Sequence, residues 1–349
     1  MTSIPYAEEE GSSSPNVFNI LSTPVTPQIH RFEFTGSGSE YFKIWIVNLL
    51  LTVLTLGIYS AWAKVRRMHY FYRNTRLDGA NFEYHGLPMA ILKGRLIAAV
   101  LFVGYSVVGN VNPLLGIAFF ILLAIVMPWL IVRSLRFQLY NSSYRGLRFA
   151  FDGDDRGAYR VFLLYPFLAA MTLYLLAPYA HQQIKQYQHR SSRFGATYFS
   201  FTAGAGSFYA IYLKVLGMLL GLFIVIGIAI YGQSPLMFGL PILFLFVMAY
   251  PAVKLPNLIW NSTGIGRHRF YSTQEVLPYL WITITNLLGI VLTLGLFVPF
   301  ATIRMMRYRL EHMGLNAQGE LSEFVAGQAQ DASALGEEMS TMFDVDIAL

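Results

Sequence analysis

The chain has 349 residues, of which 55% are hydrophobic and only 13% charged, with a formal net charge of +6. A soluble domain carries about 25% charged residues, and here the missing charge is concentrated in long gaps, which excludes an ordinary soluble fold. There is no cysteine, so disulfides, thiolate nucleophiles and Cys-ligated zinc or iron–sulfur clusters are excluded as well. The basic residues flank hydrophobic stretches, as the positive-inside rule requires, and no nucleic-acid partner is expected.

In chain order, residues 1–29 read as a disordered tail of Ser, Thr, Pro and Gly with acidic Glu8, Glu9 and Glu10 and no signal-peptide pattern. Seven apolar segments follow, near 43–63, 89–110, 113–132, 159–180, 209–231, 235–253 and 277–302. A hydrocarbon core of about 30 Å is crossed by roughly 20 apolar residues in a helix. The expected fold is therefore an all-α polytopic membrane protein with about seven transmembrane helices. Asn110-Val111-Asn112-Pro113 separates the second from the third, and Gly232-Gln233-Ser234-Pro235 the fifth from the sixth. Residues 315–349 carry seven carboxylates and no Lys or Arg, and read as an acidic disordered tail.

Two patterns repeat. Leu54-Thr55-Leu56-Gly57-Ile58, Met171-Thr172-Leu173-Tyr174-Leu175 and Leu292-Thr293-Leu294-Gly295-Leu296 align without a gap. Between apolar segments, Phe32-Glu33-Phe34, Phe82-Glu83-Tyr84 and Phe149-Ala150-Phe151 are each followed two residues later by glycine. Phe199-Ser200-Phe201 is a weaker copy and Arg269-Phe270-Tyr271 weaker still. Alternating aromatics bounded by Asn and Gly read as short ribbons at the membrane surface; a ligand-clamping loop is the other reading. One span, a ribbon and a two-span hairpin make a unit, giving residues 30–146, 147–266 and a partial 267–314. Three spans per unit imply inverted repeats. With the N-terminus outside and the C-terminus cytoplasmic, Lys and Arg number 16 inside and 9 outside.

The run Tyr41-Phe42-Lys43-Ile44-Trp45, then Leu54 through Arg67, Leu77-Asp78-Gly79, Phe82-Glu83-Tyr84-His85-Gly86 and Ile91-Leu92-Lys93-Gly94-Arg95 resembles the bacterial inner-membrane family called YjgN, or DUF898. The likeness extends through Asn141-Ser142-Ser143-Tyr144-Arg145-Gly146. It implies a bacterial inner-membrane location and no activity, because the family is one of unknown function. The later copies lack the Lys-Val-Arg-Arg and Leu-Asp-Gly elements, which confines any role for these to the first copy.

Chemistry is sparse. No acidic residue or histidine falls inside an expected span, so a carboxylate proton relay lacks its usual evidence. No His-Glu-x-x-His is present, and no cofactor, metal or enzymatic activity is expected. Thr55, Thr172 and Thr293 hold equivalent positions and could meet as a polar cluster. The candidate lipid or solute contacts are Lys64, Arg66, Arg67, Asn74, Asp78, Glu83, His85, Lys93, Arg95, Asn141 and Arg145. The cations among them fit snorkelling anchors, or a site for the anionic headgroups of membrane lipids. The function read from this is transporter- or channel-like handling of a small solute; the alternative is a non-transporting scaffold that binds anionic lipid or a protein partner.

Overall fold

The computed structural model describes residues 27–232, 237 and 239–330. Its centre is not helical. The aromatic ribbons and the short segments beside them are β1 (Pro27–Phe34), β2 (Thr75–Leu77), β3 (Ala80–Tyr84), β4 (Ser142–Tyr144), β5 (Leu147–Phe151), β6 (Ser192–Phe194), β7 (Thr197–Phe201), β8 (Thr263–Ile265), β9 (His268–Ser272) and β10 (Met313–Gln318). These ten antiparallel strands pair in chain order, and β1 closes the ring against β10. Eight of the strands have only three to five residues and would present edges that cannot stand alone in water; closure removes every edge. Alternation turns apolar side chains inward, so Phe32, Phe34, Leu77, Tyr144, Phe194, Ile265 and Leu315 share one buried core.

Four two-residue turns join the strands at one end of the barrel. Asp78 and Gly79, with φ of 49° and 70°, and Arg145 and Gly146, with 48° and 79°, have the two positive angles of a type I′ hairpin. Gly195 and Gly266 supply the first turn position in the other two, at φ 57° and 53°.

At the opposite end each strand pair is joined by two helices. These are α1 (Gly38–Leu54) with α2 (Ser60–Arg73), α3 (Pro88–Val111) with α4 (Pro113–Tyr140), and α5 (Asp155–Tyr159, continued through the π-turn Arg160–Leu164 to Tyr165–Met171) with α6 (Ala177–Arg190). Then come α7 (Ala205–Tyr231) with α8 (Leu240–Asn261) and α9 (Val276–Leu292) with α10 (Val298–Glu311). Five equivalent backbone bonds lock each returning helix to the barrel rim. The N–H groups of Thr35, His85, Asp152, Thr202 and Thr273 donate to the carbonyls of Asn74, Asn141, Ser191, Ser262 and His312 at 2.7–3.0 Å. The same order of elements thus recurs five times, always with an even number of helices.

This overturns the expectation of an all-α protein with seven spans in inverted three-span units. Among the described residues four helices, α3, α4, α7 and α8, are long and apolar enough to cross a membrane. The segments near 43–63, 159–180 and 277–302 are not single spans, because each folds back at its Leu-Thr-Leu-Gly-like motif. The expected unit boundaries at 146 and 266 fall at barrel turns, and each unit between them holds four helices. Since Pro27 faces Gln318 across the β1–β10 ladder, the two ends of the described chain lie together.

The fold-back tips are exposed yet internally bonded. Leu56, Leu173 and Leu294, with φ near +50°, are 96%, 88% and 95% exposed. In the third tip Leu294, Gly295 and Leu296 N–H donate to Val291, Ile290 and Thr293 carbonyls, and Phe297 N–H donates to Thr293 Oγ1 at 2.9 Å. Tyr59 N–H to Thr55 Oγ1 and Leu176 N–H to Thr172 Oγ1 repeat that bond at 2.9 and 3.3 Å. The three threonines therefore cap separate tips and form no common cluster.

The expected tail from residue 315 also differs in part. Leu315 and Ala317 alternate inward on β10, and residues 321–330 form a further helix, α11. Residues 1–26 and 331–349 lie outside the described part.

Candidate functional site

Five phenylalanines, Phe32, Phe82, Phe149, Phe199 and Phe270, occupy matching inward positions on β1, β3, β5, β7 and β9. Phe32–Phe82, Phe149–Phe199 and Phe199–Phe270 are stacked at centroid distances of 6.1, 6.4 and 6.2 Å. The glycine after each of the first three ribbons lets a ring fold against the backbone: a Cβ at Gly36 would lie 2.7 Å from Phe34 Cζ, and one at Gly153 would lie 2.5 Å from Phe151 Cε1.

These rings surround a chamber of about 1150 Å³. It continues out of the barrel past Tyr72, Leu139, His189 and Trp260, and then along the facing sides of α9 and α10 to Ile290 and Val298. The hydroxyls at the barrel rim do not make it polar. Thr75, Ser142, Ser192 and Thr263 each donate to the carbonyl four residues earlier, at 2.7–2.9 Å, and leave their carbon faces inward. Tyr144 Oη donates to Leu77 O at 2.7 Å, and burial, partly opposed by Arg145, raises its pKa and keeps it a donor. The charged side chains lining the chamber, among the described residues, are Arg67 and Arg309; no carboxylate lines it.

At its turn end the barrel is closed by α11. Phe324 packs edge-on to His268 at 4.6 Å and stacks on Phe194 at 6.4 Å, while Gln328 Oε1 accepts from Ala196 N–H at 3.0 Å. Burial, and secondarily the neighbouring His30, lowers the His268 pKa, and its Nδ1 accepts from Gln318 N–H at 3.2 Å.

The sequence-derived candidates do not converge on one site. Asn74 and Asn141 bond their side-chain amides to the Tyr70 and Phe137 carbonyls and finish α2 and α4. Asp78 and Arg145 pair at 2.6 Å beside a barrel turn, with His30 Nδ1 3.1 Å from the same carboxylate. Glu83 and His85 lie 3.6 Å apart, and His85 Nε2 also meets Ser143 Oγ at 2.8 Å. Lys64, Arg66 and Lys93 are exposed on helices, Arg66 reaching the Tyr59 hydroxyl, and Arg95 bonds Ser60. Of the eleven, Arg67 alone lines the chamber. Sequence reasoning missed Phe270, Trp260, Tyr279, Asn286 and Arg309. The faint fifth ribbon was the signal for Phe270; nothing local marks the rest, because only closure of the ring brings them to the chamber.

Helical hairpins rising from one end of a plugged barrel, four of their helices long and apolar enough to span, define a membrane protein with an internal apolar chamber. The family model for a bacterial protein of unknown function, DUF898, matches residues 29–342, and the chain belongs to that family. Among its relatives is the inner membrane protein YjgN of Salmonella typhimurium, 34% identical over 148 residues, which cover 42% of this chain and 38% of the relative. The protein of the same name in Escherichia coli K12 is 33% identical over 148 residues, covering 41% and 36%. The matched segment thus spans well under half the length of these relatives. No solved structure matches the chain.

Proposed function

We propose that this protein is a lipid-binding protein of the bacterial inner membrane that accepts an apolar chain into its barrel. The chamber carries the reading. Its volume slightly exceeds the ~300–1,000 Å³ usual for ligand pockets, and the walls of its barrel part are mainly phenylalanine, leucine and methionine, with the rim hydroxyls of Thr75, Ser142, Ser192 and Thr263 bonded to backbone. A polar solute would lose its hydration there without replacement, at several kcal/mol for each unmet group. An alkyl chain gains about 0.8 kcal/mol per buried CH₂. The barrel part, about 13 Å deep over four strand residues, suits the ~15 Å that one tail occupies in half a bilayer. Binding without catalysis, and without transport of a small polar solute, is the function these features favour.

The test is native mass spectrometry of protein purified in mild detergent, followed by extraction and identification of what it retains. The expected result is a chain-bearing lipid near one per protein. Protein that emerges empty, yet passes a small polar solute when reconstituted in liposomes, would instead favour the transporter reading.

A further inference from the structure

The chamber has a second feature that the apolar walls do not explain. It is bordered by two exposed arginines, Arg67 on α2 and Arg309 on α10, and by no opposing carboxylate among the described residues. Both residues line the chamber and are exposed. Arg309 is steadied by Tyr279, with its Nη2 3.4 Å from the hydroxyl and its Cζ 5.9 Å from the ring centre. Arg304, one turn before, is already engaged, donating to Asn286 Oδ1 at 2.8 Å and to Thr285 Oγ1 at 3.1 Å. Arg67 makes no ion pair with a carboxylate of the described chain. Of the other basic residues on these helices, Arg304 and Arg307 are already bonded within the chain and Lys64, Arg66 and Arg73 do not line the chamber, so position rather than charge singles out these two.

We infer that the ligand is an anionic amphiphile with one chain in the chamber, its carboxylate or phosphate held by Arg67 and Arg309 and its tail directed past Trp260 into the phenylalanine ring. This rests on the lipid-binding reading above and adds the headgroup to it. Guanidinium is the side chain suited to such an anion, since its planar fork meets carboxylate or phosphate oxygens two at a time and it stays charged at any physiological pH. The charge also selects by exclusion. A cationic head would meet two arginines lining the same chamber, and a neutral one would gain nothing from them.

Trp260 provides the readout, because it borders the chamber and lies 5.4 Å from Phe270. In a protein with Trp45, Trp62, Trp129 and Trp281 changed to Phe, Trp260 fluorescence is titrated in detergent with stearate brominated at mid-chain. The same brominated chain is then supplied as its methyl ester, as a trimethylammonium amphiphile and within phosphatidylglycerol. Saturable quenching by the anionic forms at concentrations about tenfold below the neutral and cationic ones is expected. Arg67→Gln and Arg309→Gln should each remove most of that preference without shifting the thermal midpoint. Preference for phosphatidylglycerol over stearate would mark a membrane lipid as the source, and the reverse a free fatty acid; either supports the anionic site. Equal quenching by all heads overturns the headgroup site and leaves the apolar chamber standing. No saturable quenching by any of them overturns the lipid-binding reading itself. If the four replacements unfold the protein, native mass spectrometry of the unchanged sequence with the same amphiphiles gives the same comparison.

Discussion

At the scale of the residue, Thr55, Thr172 and Thr293 show how position can be legible while role is not. Their equal spacing is plain in the sequence, and a polar residue within an apolar run suggests a buried cluster. Each instead ends one helix and caps the next, because a leucine at positive φ reverses the chain immediately afterwards. Glycine follows that leucine at φ +92° and +93° in the first and third tips, whereas Tyr174 takes the position at +65° in the second. That substitution hides the turn signal a third Leu-Gly pair would have given. Lipid offers no water to replace a missing cap. Thr293→Val should therefore strand the Phe297 N–H and cost about 1–2 kcal/mol, read as a lowered unfolding midpoint in mixed micelles. Thr293→Ser should recover most of it. If Val and Ser behave alike, the tip is hydrated and the cap is dispensable.

At the scale of the element, the strands were half legible. The Phe-x-Phe alternation and the Asn and Gly turns announced ribbons, but three-residue partners such as β2, β4, β6 and β8 carry no period of their own. They exist because a ribbon returning from each helical hairpin needs a neighbour to take up its N–H and C=O groups. The acidic composition after residue 315 likewise concealed β10 and α11, whose Leu315, Ala317, Leu321 and Val325 are buried. The docking of α11 gives a prediction with a definite sign. Burial, to which Phe324 contributes, and then His30 lower the His268 pKa, so release of the helix raises it toward the ordinary histidine range. The proton then binds the open state first, so docking is at full strength above the open state's pKa and weakens as pH falls from there toward the lowered pKa. Protonation would also oppose Nδ1 to the Gln318 N–H it now accepts. Proteolysis of residues 320–330 should accelerate several-fold between pH 7.5 and pH 5.5, and Phe324→Ala should give rapid cleavage already at the higher pH. A cleavage rate that does not change with pH in the wild type, but still rises in Phe324→Ala, would leave the plug and remove the histidine from its control.

At the scale of the whole molecule, membrane insertion was legible from composition, whereas its symmetry was not. Counting apolar runs gives seven, an odd number that places the two termini on opposite sides. The barrel changes the parity: every helical hairpin leaves and returns at the same rim, and β1 pairs with β10. Charge agrees with the barrel. None of the 25 Lys and Arg residues lies at the α3–α4 connection or between Val215 and Val253, so all fall on the barrel side of the four spans. The positive-inside rule therefore predicts a barrel on the cytoplasmic side, with both ends of the described chain, and an α3–α4 connection on the outer side. The three shorter hairpins, with α1 only about 26 Å long against about 36 Å for α3, would end inside the hydrocarbon on their leucine tips. A chain without cysteine permits a direct check. Single cysteines at Asn110, His85, Ser191 and Ser262 are tested with a membrane-impermeant thiol reagent in intact cells and again after lysis. Asn110→Cys should react in both, and the other three only after lysis, since they share the barrel rim. Labelling of Ser191→Cys in intact cells with protection of His85→Cys would restore inverted repeats and exclude a barrel confined to one face. Labelling of His85→Cys, Ser191→Cys and Ser262→Cys together, with protection of Asn110→Cys, would keep the barrel and reverse its side.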